Sequence, residues 1–173
     1  MLSMLALTSL LLTFGIIYLN RRLNKFLVWF GQSKLNSLTV GLLGAMVVIT
    51  PFLFMYNLTP IEQRGGLISN DLLLPLLFLA LFGNFMEEVL FRGYLQGYFE
   101  QLTGPWRAVV LSALLFAIGH IFLATTVTDL GVAILAFTLY EGIVCAIVRM
   151  KHGIIAATLT HGLTIFFLAS GIF

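Results

Sequence analysis

Charge is what this chain has least of. Nine Lys and Arg and seven Asp and Glu make up 9% of its 173 residues, against about 25% in an ordinary soluble domain. So few charges cannot cover the surface that a globule of this length shows to water, which excludes a water-soluble fold. The same shortage excludes disorder, because disordered segments are polar and charge-rich. Cysteine is nearly absent too. Cys145 stands alone, so an internal disulfide has no partner and a structural zinc has no Cys framework. A net charge of +2 is too small to speak for nucleic acid. No internal repeat or low-complexity segment is visible, and a single membrane domain over residues 1–173 is the simplest description.

Apolar residues fill the space that charge leaves: 60% of the chain comes from the set AVILMFWYC. A helix needs about 20 of them in succession to cross the hydrocarbon core, and six gaps between charges qualify. They are Met1–Leu19, roughly Leu38–Leu58, a run from Leu72 through Glu87 and Glu88 towards Phe99, Ala108–Ala124, Leu130–Val148, and Ile154–Phe173. Transmembrane β-strands would be about 10 residues long with alternating polarity, a pattern these runs lack. The expected fold is therefore all-α, a polytopic membrane protein built as a bundle of about six transmembrane helices. The first run has no basic segment before it and Asn20-Arg21-Arg22 after it, which reads as a retained helix rather than a cleaved signal peptide.

Gly65-Gly66, Gly104-Pro105 and Lys151-His152-Gly153 punctuate the connections. With six crossings, the first, third and fifth connections share a side, and they hold Arg21, Arg22, Lys25, Lys34, Arg107, Arg149 and Lys151. The opposite side holds only Arg64, while Arg92 lies within the third span. Lys and Arg in short loops mark the cytoplasmic face. The expectation is a cell inner (plasma) membrane protein with both termini away from the cytoplasm. Trp29 and Trp106 fall near the basic ends, as interfacial anchors do.

A charged side chain at mid-bilayer costs about 2.5–3.5 kcal/mol on the insertion scale, so such groups mark function or a paired structural role. Here four helices carry them: Glu87, Glu88 and Arg92 in the third span, His120 in the fourth, Glu141 in the fifth and His161 in the sixth. Glu88 and Arg92, spaced i,i+4, share a helix face and can pair. Glu87 lies about 100° round the helix, with Asn84 and Phe91. Lacking an opposite charge on its own face, it is the freer carboxylate and suits a general base. Gly119 and Gly162, beside the two histidines, are small enough to let helices approach closely. Glu141 sits about mid-span, and a protonated, hydrogen-bonded structural role is its default reading.

Glu87-Glu88-Val89-Leu90-Phe91-Arg92-Gly93, followed by Phe116-Ala117-Ile118-Gly119-His120 and then by His161, resembles the three motifs of the CPBP family, the intramembrane proteases of CAAX-processing and bacteriocin-processing type. The resemblance runs from about Leu72 to Phe173, the catalytic-core part (71–173), and leaves the helices of residues 1–70 as a variable addition. It implies that Glu87 and His120 hold and activate the attacking water, that Glu88 and Arg92 orient the site with Phe116 in support, and that His161 contributes to an oxyanion hole. The family's last motif is usually His-x-x-x-Asn, whereas Ile165 stands four residues after His161. Thr164 is adjacent, though about 100° away on the helix; with Asn84 and Glu141 it completes the set of further polar groups near the site.

Peptide hydrolysis inside a membrane needs water, a base and oxyanion donors shielded from lipid by a helix bundle. Glu87, His120 and His161 meet that minimum without a cofactor. The same three could instead bind zinc with an open fourth position, but no His-Glu-x-x-His pair is present. The expected substrate is a membrane-embedded or membrane-anchored protein or peptide, with the lipid bilayer as surroundings and no nucleic acid. The main rival is a non-catalytic immunity or scaffold protein of the same fold, with Ile165 as its best argument. A transporter with a proton relay is weaker, since such folds usually show repeat symmetry.

Overall fold

A computed structural model describes residues 1–56, 68–127 and 132–172 of the chain. The Gly65-Gly66 turn and Arg64 lie outside these residues, as do the ends expected for the second, fifth and sixth spans at Leu58, Leu130 and Phe173. Among the described residues the secondary structure is helical, with no strand. The helices are α1 (Leu2–Leu19), α2 (Lys34–Tyr56), α3 (Asn70–Glu88), α4 (Gln96–Thr103), α5 (Pro105–Gly119), α6 (Val132–His152) and α7 (Ile154–Ser170). A π-helical segment, Val89–Leu95, joins α3 to α4 without a break, and a second π turn, Leu123–Val127, follows α5. The protein is a multi-pass membrane protein. Among the described residues five helical units are long and apolar enough to cross a bilayer, and α7 is a shorter apolar helix.

The α3–π–α4 unit runs for 34 residues. At 1.5 Å per residue that is about 51 Å, longer than a hydrocarbon core of about 30 Å. Its far end carries the polar residues Gln96 and Glu100, which face α6. Gln96 donates from Nε2 to the carbonyl of Ala146 (3.0 Å), and Glu100 pairs with Arg149. Arg92, one turn before Gln96, donates from Nη2 to the carbonyl of Gly142 at 3.4 Å. Residues 92, 96 and 100 thus form a polar stripe that locks this unit to α6.

The connection after α1 is ordered by the helix it meets. A 3-10 turn, Arg21–Phe26, leads into an extended stretch whose carbonyls accept from the first turn of α7: Ile154 N–H to Val28 O (2.7 Å) and Ile155 N–H to Trp29 O (3.1 Å). These are N–H groups that a helix start leaves without an intrahelical partner. Arg149 adds a bond to the Phe26 carbonyl at 3.0 Å. The α1–α2 and α6–α7 connections therefore meet at one end of the bundle. Gly153 turns α6 into α7 at φ 85°, a conformation that favours glycine.

α1 packs on α3, α2 packs on α7 and α6, and α3 on α7. Helix contacts are closest where side chains are smallest. A Cβ on Gly162 would stand 3.0 Å from the Ala80 carbonyl and 2.9 Å from Leu81 Cδ2, so this glycine sets the α3–α7 approach. Gly119 does not act this way, because a Cβ there would meet only Phe91 Cζ at an ordinary 3.5 Å.

Candidate active site

The last turn of α3 and the π segment carry the acidic pair and Arg92; the other groups reach them from α5, α6 and α7. Glu88 is fully buried, and its Oε1 lies 3.2 Å from Arg92 Nη1, the i,i+4 pair expected from spacing. The same oxygen lies 3.0 Å from Nδ1 of His161. Since an ionised carboxylate only accepts, the Nδ1–H of His161 donates to it and the ring presents Nε2 on its other side. There stands Glu141, buried, with Oε2 at 3.7 Å and Oε1 without a hydrogen-bond partner. Four groups from three helical units thus form one buried series: Arg92, Glu88, His161, Glu141.

Glu87 points elsewhere, as its position round the helix requires. Its side chain is 32% exposed, and Oε2 lies 3.9 Å from Nε2 of His120, itself 20% exposed. Oε2 is nonetheless buried as an atom and has no hydrogen-bond partner. His120 ends α5 as its C-cap, and its Nδ1 lies 2.9 Å from the carbonyl of Phe116. A carbonyl can only accept, so Nδ1 carries a hydrogen and Nε2 is the nitrogen that faces Glu87.

Phe116 joins the two halves. Fully buried, it takes the guanidinium of Arg92 over its ring at 4.0 Å, and its centroid lies 4.4 Å from the ring of His120 and 5.5 Å from that of His161. Phe91 packs against it edge-on at 5.2 Å. Ser112, one turn before Phe116, donates to the carbonyl of Phe91 at 2.9 Å and so fixes α5 against the π segment.

Two of the polar groups named from sequence turn away. Asn84 donates to the carbonyl of Ala80 (2.7 Å) and Thr164 to that of Thr160 (2.7 Å), each back onto its own helix. The link of His161 to Glu88 and the approach of Glu141 to His161 had no signal in the local sequence, because both join residues on different helices. Among the described residues, no group of three or more His, Cys, Asp or Glu is placed to hold a metal ion. His161 engages Glu88 through Nδ1 and His120 lies against the Phe116 carbonyl through Nδ1, so each ring turns Nε2 to the other side.

A family model, that of the type II CAAX prenyl endopeptidases, Rce1-like, matches residues 69–167. The chain belongs to this family. The matched stretch begins at the start of α3 and contains every ionisable group of the site, leaving α1 and α2 outside it. By class this CAAX-type endopeptidase is a membrane protease, and the two glutamates, Arg92 and both histidines lie inside the matched stretch. Comparison with curated proteins and with solved structures gave no match.

Proposed function

We propose that this chain is an intramembrane endopeptidase in which Glu87 activates water against a peptide bond in or near the membrane segment of a protein substrate. The observation that carries the reading is the pairing of Glu87 Oε2 with His120 Nε2 at 3.9 Å, beside a second carboxylate already held by Arg92. That separation is too long for a direct hydrogen bond. A water at about 2.8 Å from both atoms would be gripped by both. Its oxygen attacks the scissile carbonyl carbon while one proton passes to Glu87. The carbonyl oxygen, now negative, faces the His161 side. Collapse of the tetrahedral adduct breaks the C–N bond, and the proton on Glu87 goes to the leaving amine.

In this reading the protein needs no metal or cofactor. It resides in the inner (plasma) membrane with both termini away from the cytoplasm, and alkaline-phosphatase fusions at Phe173 should be active while fusions near Lys25 are silent. Prenylated tails, C-terminal sorting anchors and peptide precursors are all substrates of suitable chemistry. The test is a Glu87→Gln variant expressed in native membranes, with mass spectrometry of the precursor that accumulates on it. Full cleavage by Glu87→Gln would remove Glu87 as the base.

One observation favours a second reading, a non-catalytic relative. α7 offers no amide side chain one turn after His161, since residue 165 is Ile, and the hydroxyl of Thr164 is bonded to Thr160. In that case no variant of the site would trap or release a cleaved partner.

A further inference from the structure

Glu141 is buried in α6 and has a bare Oε1, yet its position is strictly set. On one side of it Tyr140 donates to the carbonyl of Val47 in α2 at 2.8 Å, and on the other the carbonyl of Gly142 accepts from Arg92. These two contacts hold the turn of α6 that carries Glu141 and aim its carboxyl at Nε2 of His161, 3.7 Å away. A purely structural glutamate in such a place would be expected to have both oxygens satisfied. Here Oε1 is without a partner, and Oε2 faces the ring nitrogen of a histidine whose other nitrogen is already occupied.

We propose that Glu141 is a positioning residue: it shares one proton with Nε2 of His161 and thereby supplies the N–H that meets the oxyanion as it develops on the substrate carbonyl. This deepens the protease reading and rests on it. The charge of Arg92 is matched by Glu88. The remaining pair is neutral with one shared proton in either arrangement, as carboxylic acid with imidazole or as carboxylate with imidazolium. Moving the proton across therefore adds no net charge to the low-dielectric interior. As the oxyanion develops, the O–H bond of Glu141 breaks and the Nε2–H bond of His161 forms; no proton leaves the pair. The imidazolium then stands between two carboxylates, Glu88 and Glu141, and its Nε2–H is shared between Glu141 and an oxyanion that enters beside that carboxylate. A resting separation of 3.7 Å fits a contact that tightens only when substrate is bound. The role is the one that position 165 would fill with an amide side chain, and Ile165 has none.

The experiment replaces Glu141 by Gln, which keeps the size and removes the shared proton. With a quenched farnesylated CAAX peptide as probe, Glu141→Gln should lower kcat about 10²-fold, the scale of one oxyanion donor, while KM changes less than about threefold. A structural glutamate would tolerate the amide, so wild-type kcat in a folded Glu141→Gln protein overturns the proposal. A second readout needs no turnover. In protein labelled with ¹⁵N at histidine, with His161 assigned through His161→Gln, Nε2 of wild-type His161 should carry or share a proton, and should lose it in Glu141→Gln. A bare, unshared Nε2 in the wild type overturns the proposal whether or not the peptide is cut. Activity retained in Glu87→Gln would instead strike the protease reading itself, so the two failures are distinct.

Discussion

Glu87 and Glu88 are neighbours in the chain and occupy opposite media: the first is 32% exposed and faces Nε2 of His120, the second is fully enclosed and shared between Arg92 and His161. One residue of rotation on α3 makes the difference. Removing the charge of Glu87 leaves no buried cation unmatched. Removing that of Glu88 leaves Arg92 uncompensated, at a cost of about 3–5 kcal/mol for a broken buried pair. Glu87→Gln should therefore abolish cleavage at near-normal abundance, whereas Glu88→Gln and Arg92→Ala should also lower the folded yield. Quantitative immunoblotting of membranes together with the cleavage assay reads both effects. Equal yields for all three variants would contradict the burial argument.

Phe116 is the apolar part of the site on which most depends. Its ring touches Arg92, His120 and His161 at once, so truncation opens a cavity and also removes a cation–π contact. Phe116→Ala should cost about 3–5 kcal/mol, seen as a lower melting temperature of the protein in detergent. Phe116→Leu should recover most of that loss but not full activity, because a branched aliphatic side chain cannot hold the two imidazoles in place. If Phe116→Leu were fully active, the ring would be serving as bulk alone.

The helices and the Glu88–Arg92 pair were legible in the sequence because they depend on local quantities: the length of an apolar run and the angle between residues four apart. That Glu87 and His120 come close was signalled only by motifs; their 3.9 Å separation is the spacing in which the proposed mechanism sets a water. What could not be read is the partnership of His161 with Glu88 and with Glu141. Those contacts depend on which helices are neighbours and how each is rotated, and nothing in a periodic apolar helix reports either. The π segment at Val89–Leu95 was hidden too, since its composition continues that of α3. The partners of Thr164 and Asn84 could not be read from sequence, because a Ser, Thr or Asn in a helix can bond to the carbonyl four residues back or reach a neighbour. In this fold both make the local bond.

The metal-free reading rests on the spread of the donors, since no three His, Cys, Asp or Glu side chains among the described residues are grouped to hold an ion, and chelation tests it directly. Nδ1 is engaged in both His161 and His120, by Glu88 and by the carbonyl of Phe116, which leaves Nε2 as the nitrogen a metal would take. Purified protein should hold well under one equivalent of zinc, and cleavage should survive EDTA and phenanthroline. Loss of activity on chelation, restored by added zinc, would recast His120 and His161 as ligands and Glu87 as a third.

Position 165 connects the two accounts of the oxyanion. It lies one helical turn from His161 on the same face of α7, so an amide placed there could donate beside the ring. If the wild-type chain lacked any such donor, Ile165→Asn would raise turnover by about 10²-fold. With Glu141 already charging Nε2 of His161, the same change should alter wild-type turnover by less than about threefold, since a second donor is only partly additive on a site that works as a unit. In the Glu141→Gln background the result should differ: Ile165→Asn should restore about tenfold of the lost rate, because the new amide then supplies a missing hydrogen bond. Steady-state kinetics on the four proteins of this cycle decide the matter. A large gain in the wild type, with none in the Glu141→Gln background, would show that the oxyanion side of the site is incomplete and that Glu141 does not serve it.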